Sequence, residues 1–103
     1  MNAYDVYIAY VSWSTGGKDR PVLVLEDNGS SIKIFSITTR YIGKSGNIRD
    51  KLFKINDLQQ AGLNQESYID TNTTITLPRS SITHHIGNLA ESDVLRFIQF
   101  LKK

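Results

Sequence analysis

A chain of 103 residues, 40% hydrophobic and 21% charged, is sized for one domain spanning residues 1–103 with one modest core. Its net charge of +2 is too small to mark a nucleic-acid binder, and the lack of cysteine excludes disulfides and thiolate metal sites and fits a reducing cytoplasm. No apolar run approaches the roughly 20 residues that span a bilayer, and MNAYDVYIAYVSW, with an acid at position 5 and no basic start, makes a poor signal peptide.

From the N-terminus, Ala3 to Val11 alternates, with Tyr4, Val6, Ile8 and Tyr10 on one side and Asp5, Tyr7 and Ala9 on the other. That pattern predicts a half-buried first strand. Ser12 to Asp19 (SWSTGGKD) reads as a loop, because Ser, Thr and paired Gly punctuate structure. Arg20–Glu26 and Ser31–Thr39 read as an antiparallel hairpin about Asp27-Asn28-Gly29-Ser30, since Asn and Gly tolerate the positive φ of a tight turn. The hairpin contains the longest apolar run, Val22 to Leu25.

Residues opposite each other in a hairpin keep a constant index sum. A two-residue loop at Asn28-Gly29, or a four-residue loop Asp27–Ser30, gives 57; a three-residue loop Asn28–Ser30 gives 58 and sets Arg20 opposite Thr38. A slip of one residue puts the two on opposite faces, but in every register they finish at the same end.

Tyr41 to Asp50, with two Gly, reads as a mobile loop, and Lys51 to Ile55 as a short strand. Residues 40–54 hold five basic groups (Arg40, Lys44, Arg49, Lys51, Lys54) against Asp50, a net of +4, while the rest of the chain sums to −2. Such a segment is either a polyanion contact or a solvated loop. Asn56 or Asp57 is placed to cap a helical turn, Leu58 to Ala61, stopped by Gly62. Ser67–Asp70 and Thr73–Leu77 are expected as two short strands about a Thr/Asn bend, ended by Pro78. A loop through His84, His85 and Gly87 then leads to a C-terminal helix carrying Val94, Phe97, Ile98 and Leu101 on one stripe, with Glu91 and Asp93 near its positive end. Many short strands and one covering helix predict a mainly β fold with a C-terminal helix, a small bent barrel.

Few residues here suit the commonest chemistries. Gly16-Gly17-Lys18 lacks the first Gly and the Ser/Thr of a nucleotide-binding phosphate loop. Adjacent His84 and His85 point to opposite sides of an extended chain, so no metal or cofactor site is expected. There is no Ser-His-Asp set, nucleophilic Cys or carboxylate pair. Arg20, at a strand start beside a Gly-rich loop, is either a phosphate fork or a barrel-end ion pair with Asp5, Asp19 or Asp27. Trp13, Tyr41 and Phe53 flank the loops and either stack on bases or fill the core.

Taken in order, GGKDRPVLVL, FSITT, AGLNQESYID, TLPRSSI and a closing IGNL-helix resemble the MazF/PemK toxins of bacterial type II toxin–antitoxin systems, over nearly the whole chain. The resemblance implies an SH3-like barrel, a homodimer, an antitoxin partner, and a metal-independent endoribonuclease acting on single-stranded RNA. It implies catalysis by Arg20, which precedes the Pro of the second strand, and by Thr38, which follows an Ile at the end of the third, with Thr39 as the fallback. It further implies RNA contacts at Ser14, Gly17, Lys18, Thr39 and Arg40. The family's Gln-Ile/Val-Arg is replaced here by Leu77-Pro78-Arg79, so only Arg79 carries over. Two other expectations stay open: a same-fold toxin that acts on DNA gyrase through the C-terminal helix, and an SH3-like binding module without catalysis.

Overall fold

The computed structural model describes residues 1–41 and 46–103. Among these residues six strands form one antiparallel sheet: β1 Asp5–Trp13, β2 Gly16–Asp27, β3 Ser31–Thr38, β4 Leu52–Lys54, β5 Tyr68–Pro78 and β6 Ile82–Asn88. Their spatial order is β4-β5-β3-β2-β1-β6. The α-helices among the described residues are α1 Gly46–Arg49, α2 Leu58–Ala61 and α3 Glu91–Leu101.

The sheet is strongly bent. β5 and β6 lie on opposite sides of the β3-β2-β1 meander, roughly 19 Å apart in a flat sheet. A single 3₁₀ turn, Arg79–Ser81, joins them, and so short a link spans at most about 14 Å. The sheet therefore curls towards closure, as a bent barrel requires. Period-two alternation gives it two apolar faces. On one, Val6, Leu23, Phe35 and Ile37 pack with Phe53 and Ile69 beneath Phe97 of α3. On the other, inside the curl, lie Ala9, Val11, Val22, Val24, Ile32, Ile34 and Leu77.

Several local expectations hold. Asp57 caps α2, accepting from the Gln60 N–H at 3.0 Å, and Gly62 ends it with φ at 76°. Phe97 is fully buried and Val94 packs against the core, although Leu101 is exposed and Phe100 takes its place against the apolar surface.

Others are corrected. The expected loop Ser12–Asp19 is a continuation of the β1–β2 hairpin: Ser12 pairs with Gly17 and Trp13 with Gly16, leaving Ser14-Thr15 as the turn. The two strands expected at Ser67–Asp70 and Thr73–Leu77 are one strand, β5. Its pairing to β3 shifts between Ile34↔Ile75 and Ser36↔Asp70, so the Thr/Asn bend is absorbed as a bulge. The expected loop through His84 and His85 is β6, an edge strand on β1 whose two register shifts break its alternation. Within the expected loop Tyr41–Asp50, Gly46–Arg49 form α1, and residues 42–45 lie outside the described residues.

Candidate active site

The β2–β3 hairpin brings Arg20 and Thr38 together, though not by loop length alone. Next to the turn Asp27 pairs with Ile32, an index sum of 59. A bulge between Val24 and Glu26 absorbs one residue, and Val24↔Ile34, Leu23↔Phe35 and Val22↔Ser36 run at 58. The paired ladder ends at Val22↔Ser36; an unbroken 58 register beyond it would set Arg20 opposite Thr38, and both side chains line one cleft.

Alternation places Trp13, Lys18, Arg20 and Thr38 on the sheet face that carries Val22 and Val24. They sit where that face opens away from the turn. Together with Thr39, Arg40 and Ser67 they line a cleft of about 530 Å³. Lys18, Arg20 and Arg40 outweigh Asp19 there, so the cleft is cationic.

The guanidinium carbon of Arg20 lies 5.6 Å from the centroid of the Trp13 ring, a cation–π contact. Its Nε is buried and has no hydrogen-bond partner among the described residues. Among the described residues Arg20 forms no ion pair with Asp5, Asp19 or Asp27, the sequence-derived alternative. Asp27 is engaged by Arg79 and by the N-terminal amine at 3.1 Å, and Asp5 faces His85 at 3.9 Å. A buried unpaired N–H costs about 1–3 kcal/mol, so this one calls for a partner that the described residues do not supply. The Oγ1 of Thr38 accepts the N–H of Arg40 at 3.1 Å. This local turn fixes the hydroxyl at the strand end and leaves its hydrogen available to donate.

The other sequence-derived residues divide. Lys18, Thr39 and Arg40 line the cleft. Ser14 sits in the exposed turn beside Trp13. Gly17 faces Ser12 in a close approach, where an added Cβ would lie 2.6 Å from the Tyr10 hydroxyl. Arg79 is not brought to the cleft. It lies at the turn end of the hairpin, where it donates to the Gly29 carbonyl at 2.6 Å and pairs with Asp27. That contact, with further bonds from the Gly29 N–H and the N-terminus, holds the Asp27 carboxyl well below the usual range.

Of the three aromatics, Trp13 is half exposed and lines the cleft, Tyr41 stacks on Tyr68 at 4.7 Å, and Phe53 belongs to the core. His84 and His85 are exposed, with His85 stacked on Tyr7. No cluster of three or more metal-ligating side chains occurs among the described residues. Sequence reasoning missed Ser67, Tyr68 and Glu66, which adjoin the cleft only because β5 pairs with β3. The apolar-polar mix of ESYID gave no hint of that pairing.

Fold and site thus define a small bent-sheet protein whose cationic cleft presents an arginine fork beside a threonine hydroxyl. The chain belongs to the PemK-like, MazF-like toxins of type II toxin–antitoxin systems, whose family model matches residues 2–103. It is 31% identical over 100 residues to a probable endoribonuclease MazF of Mycolicibacterium smegmatis, covering 93% of this chain and 88% of that protein. Solved structures share the fold. The Mycobacterium tuberculosis toxin MazF-mt6 superposes with a TM-score of 0.71 at 24% identity, over 94% of this chain and 91% of that one. An endoribonuclease from a mycobacterial species, solved with its cognate antitoxin, superposes with a TM-score of 0.65 at 14% identity, over 98% and 91%. No helix among the described residues is long and apolar enough to cross a membrane.

Proposed function

We propose that this chain is the toxin of a type II toxin–antitoxin pair, a metal-independent endoribonuclease that cuts single-stranded RNA, mRNA included. The observation that carries the reading is the buried, unpartnered Nε of Arg20 in one cleft with the Thr38 hydroxyl. The relative named as a probable endoribonuclease supports it.

The ribose 2′-oxygen attacks the adjacent phosphorus. The O2′–P bond forms, the P–O5′ bond breaks, the 2′ proton leaves and the 5′ oxygen gains one. The products are a 2′,3′-cyclic phosphate and a 5′-OH end. The transition state gathers charge on the phosphoryl oxygens. Arg20 meets it with fixed charge and a planar fork of donors, and Thr38 with a hydroxyl donor already oriented by Arg40. Lys18 and Arg40 hold neighbouring phosphates, while Ser14, Gly17 and Thr39 contact the chain along the β1–β2 turn and the cleft rim.

The matched segment acts as one domain and pairs as a homodimer. A cognate antitoxin covers the cleft until it is lost, and an mRNA substrate puts the protein in the cytoplasm.

Cleavage of a long RNA in EDTA tests the proposal. Wild type cuts, and folded Arg20→Ala and Thr38→Ala each lose on the order of 10²–10³ in rate. Full cutting by both variants sinks the site assignment. A wild type that leaves varied RNAs intact but blocks gyrase supercoiling would be a gyrase-directed toxin, and one that does neither would be a binding module.

A further inference from the structure

We propose that the hollow beside the cleft, lined by Thr39, Arg40, Tyr41, Glu66 and Tyr68, is the subsite that reads one base flanking the cut, and that it selects a base bearing amino donors over uracil. This rests on the reading of the neighbouring cleft as the ribonuclease site. The hollow encloses about 330 Å³ and shares Thr39 and Arg40 with the cleft. A strand whose phosphate sits on Arg20 therefore delivers an adjacent base to it.

The hollow has the two parts that single-strand recognition needs. One is an aromatic surface. Tyr41 and Tyr68 stack at 4.7 Å with ring planes 29° apart. Tyr68 is nearly buried and is the strand partner of both Thr38 and Lys54, so the rings are indexed to the hydroxyl of the cleft. An exposed cation, Arg49, lies 5.8 Å from the centroid of the Tyr41 ring, too close for a base to fit between them, so a base that stacks there displaces the guanidinium towards the phosphates of the same strand. Stacking on tyrosine accepts any base and supplies affinity without choice.

Choice comes from the second part, Glu66. Lys54 holds its carboxylate at 2.9 Å, and an ionised carboxylate only accepts hydrogen bonds. Cytosine and adenine present an amino group on the Watson–Crick edge, and guanine presents an amino and an imino group. Uracil presents two carbonyls flanking one N–H, which repel the carboxylate.

Sequencing the ends left on a randomised RNA pool tests this, with wild type, Glu66→Gln and Tyr41→Ala compared. Wild type shows one flanking position depleted in uracil by on the order of tenfold. Glu66→Gln, whose amide can donate to uracil, flattens that position and leaves the others unchanged. Tyr41→Ala raises KM by about tenfold. A Glu66→Gln profile identical to wild type overturns the inference while leaving the ribonuclease reading intact. If wild type cuts nothing, that reading fails by itself. Anisotropy with fluorescein-labelled U9 and C9 oligonucleotides then decides the subsite: a preference for C9 that Glu66→Gln abolishes supports it, and equal binding by both proteins overturns it.

Discussion

The fully buried carboxylate of Asp93 accepts the backbone N–H of Asp57 at 2.9 Å, so the start of α3 holds the start of α2. The same oxygen takes the Asn56 N–H at 3.1 Å, and the other oxygen takes Nη1 of Arg96 at 2.7 Å. Every contact is to a donor, as a buried carboxylate requires. Asp93→Ala strands two backbone N–H groups and one guanidinium at the helix-to-sheet joint. The expected loss is about 3–5 kcal/mol. In a domain of this size that lowers Tm by more than about 12 °C, measurable by circular dichroism. Arg96→Ala takes the donor from one Asp93 oxygen but keeps both backbone N–H bonds, and because the arginine side chain is 44% exposed its removal lets water approach that oxygen, so the loss should be smaller, about 1–3 kcal/mol. Equal losses for the two variants would count against a backbone-holding role for Asp93.

A second joint depends on glycine. Gly62 ends α2 in the left-handed region, and a Cβ there would overlap the carbonyl oxygen of Ile86 in β6. Gly62→Ala combines backbone strain with a clash against main chain that has nowhere to go. Urea unfolding should show a loss of about 2–4 kcal/mol. Gly29→Ala tests the distinction. It also has positive φ, at 90°, but meets nothing within 4 Å, so it should lose only about 1 kcal/mol.

These joints show where the sequence was readable. Local chemistry spoke plainly: Asp57 and Gly62 bracket α2, and the β2–β3 hairpin lies where alternation and Asn-Gly put it. Arg20 and Thr38 reach one end of it in any register, so their meeting in one cleft was legible, while only the family resemblance marked them as candidates for catalysis. Long-range pairing was not. The bulge that restores the 58 register leaves no mark in VLVLED, and Glu66 and Tyr68 reach the hollow beside the cleft only through strands far apart in sequence. Asp93 misled in a physical way: an acid in the first turn of a helix is ordinarily a solvated partner of the helix dipole, whereas this one is core. The edge strand β6 was hidden by two histidines and a glycine, because exposed edge positions need no apolar alternation.

The hairpin turn should respond to acid. The Arg79 hydrogen bond, the Gly29 N–H and the N-terminal amine together hold the Asp27 carboxyl far below its ordinary value. A depressed folded-state pKa contributes stability that is fully present above the unfolded value, near 3.9, and is lost as pH falls through the folded one. Wild type should therefore lose Tm steadily below about pH 4. Asp27→Asn should start lower at pH 7 and show a shallower acid slope. Parallel Tm-against-pH curves for the two proteins would show that Asp27 makes no such contribution.

The last prediction separates the two adjacent threonines. Thr38 ends β3 half buried, on the face of Arg20, with its oxygen fixed by the Arg40 N–H; Thr39 is exposed and no hydrogen bond fixes its hydroxyl among the described residues. Thr38→Ser keeps the donor and should retain cleavage within about tenfold of wild type, whereas Thr38→Ala loses on the order of 10²–10³ in kcat. Thr39→Ala removes a rim contact, so KM rises while kcat changes by less than about tenfold. Arg20→Lys puts a point charge where a planar fork packed on Trp13, and should lose nearly as much as Arg20→Ala. Single-turnover cleavage of one RNA by the five variants, over a range of enzyme concentrations, reads all of this. If Thr39→Ala, rather than Thr38→Ala, abolished kcat, the chain would have to place its catalytic hydroxyl one residue beyond the strand, and the 58 register would no longer explain the site.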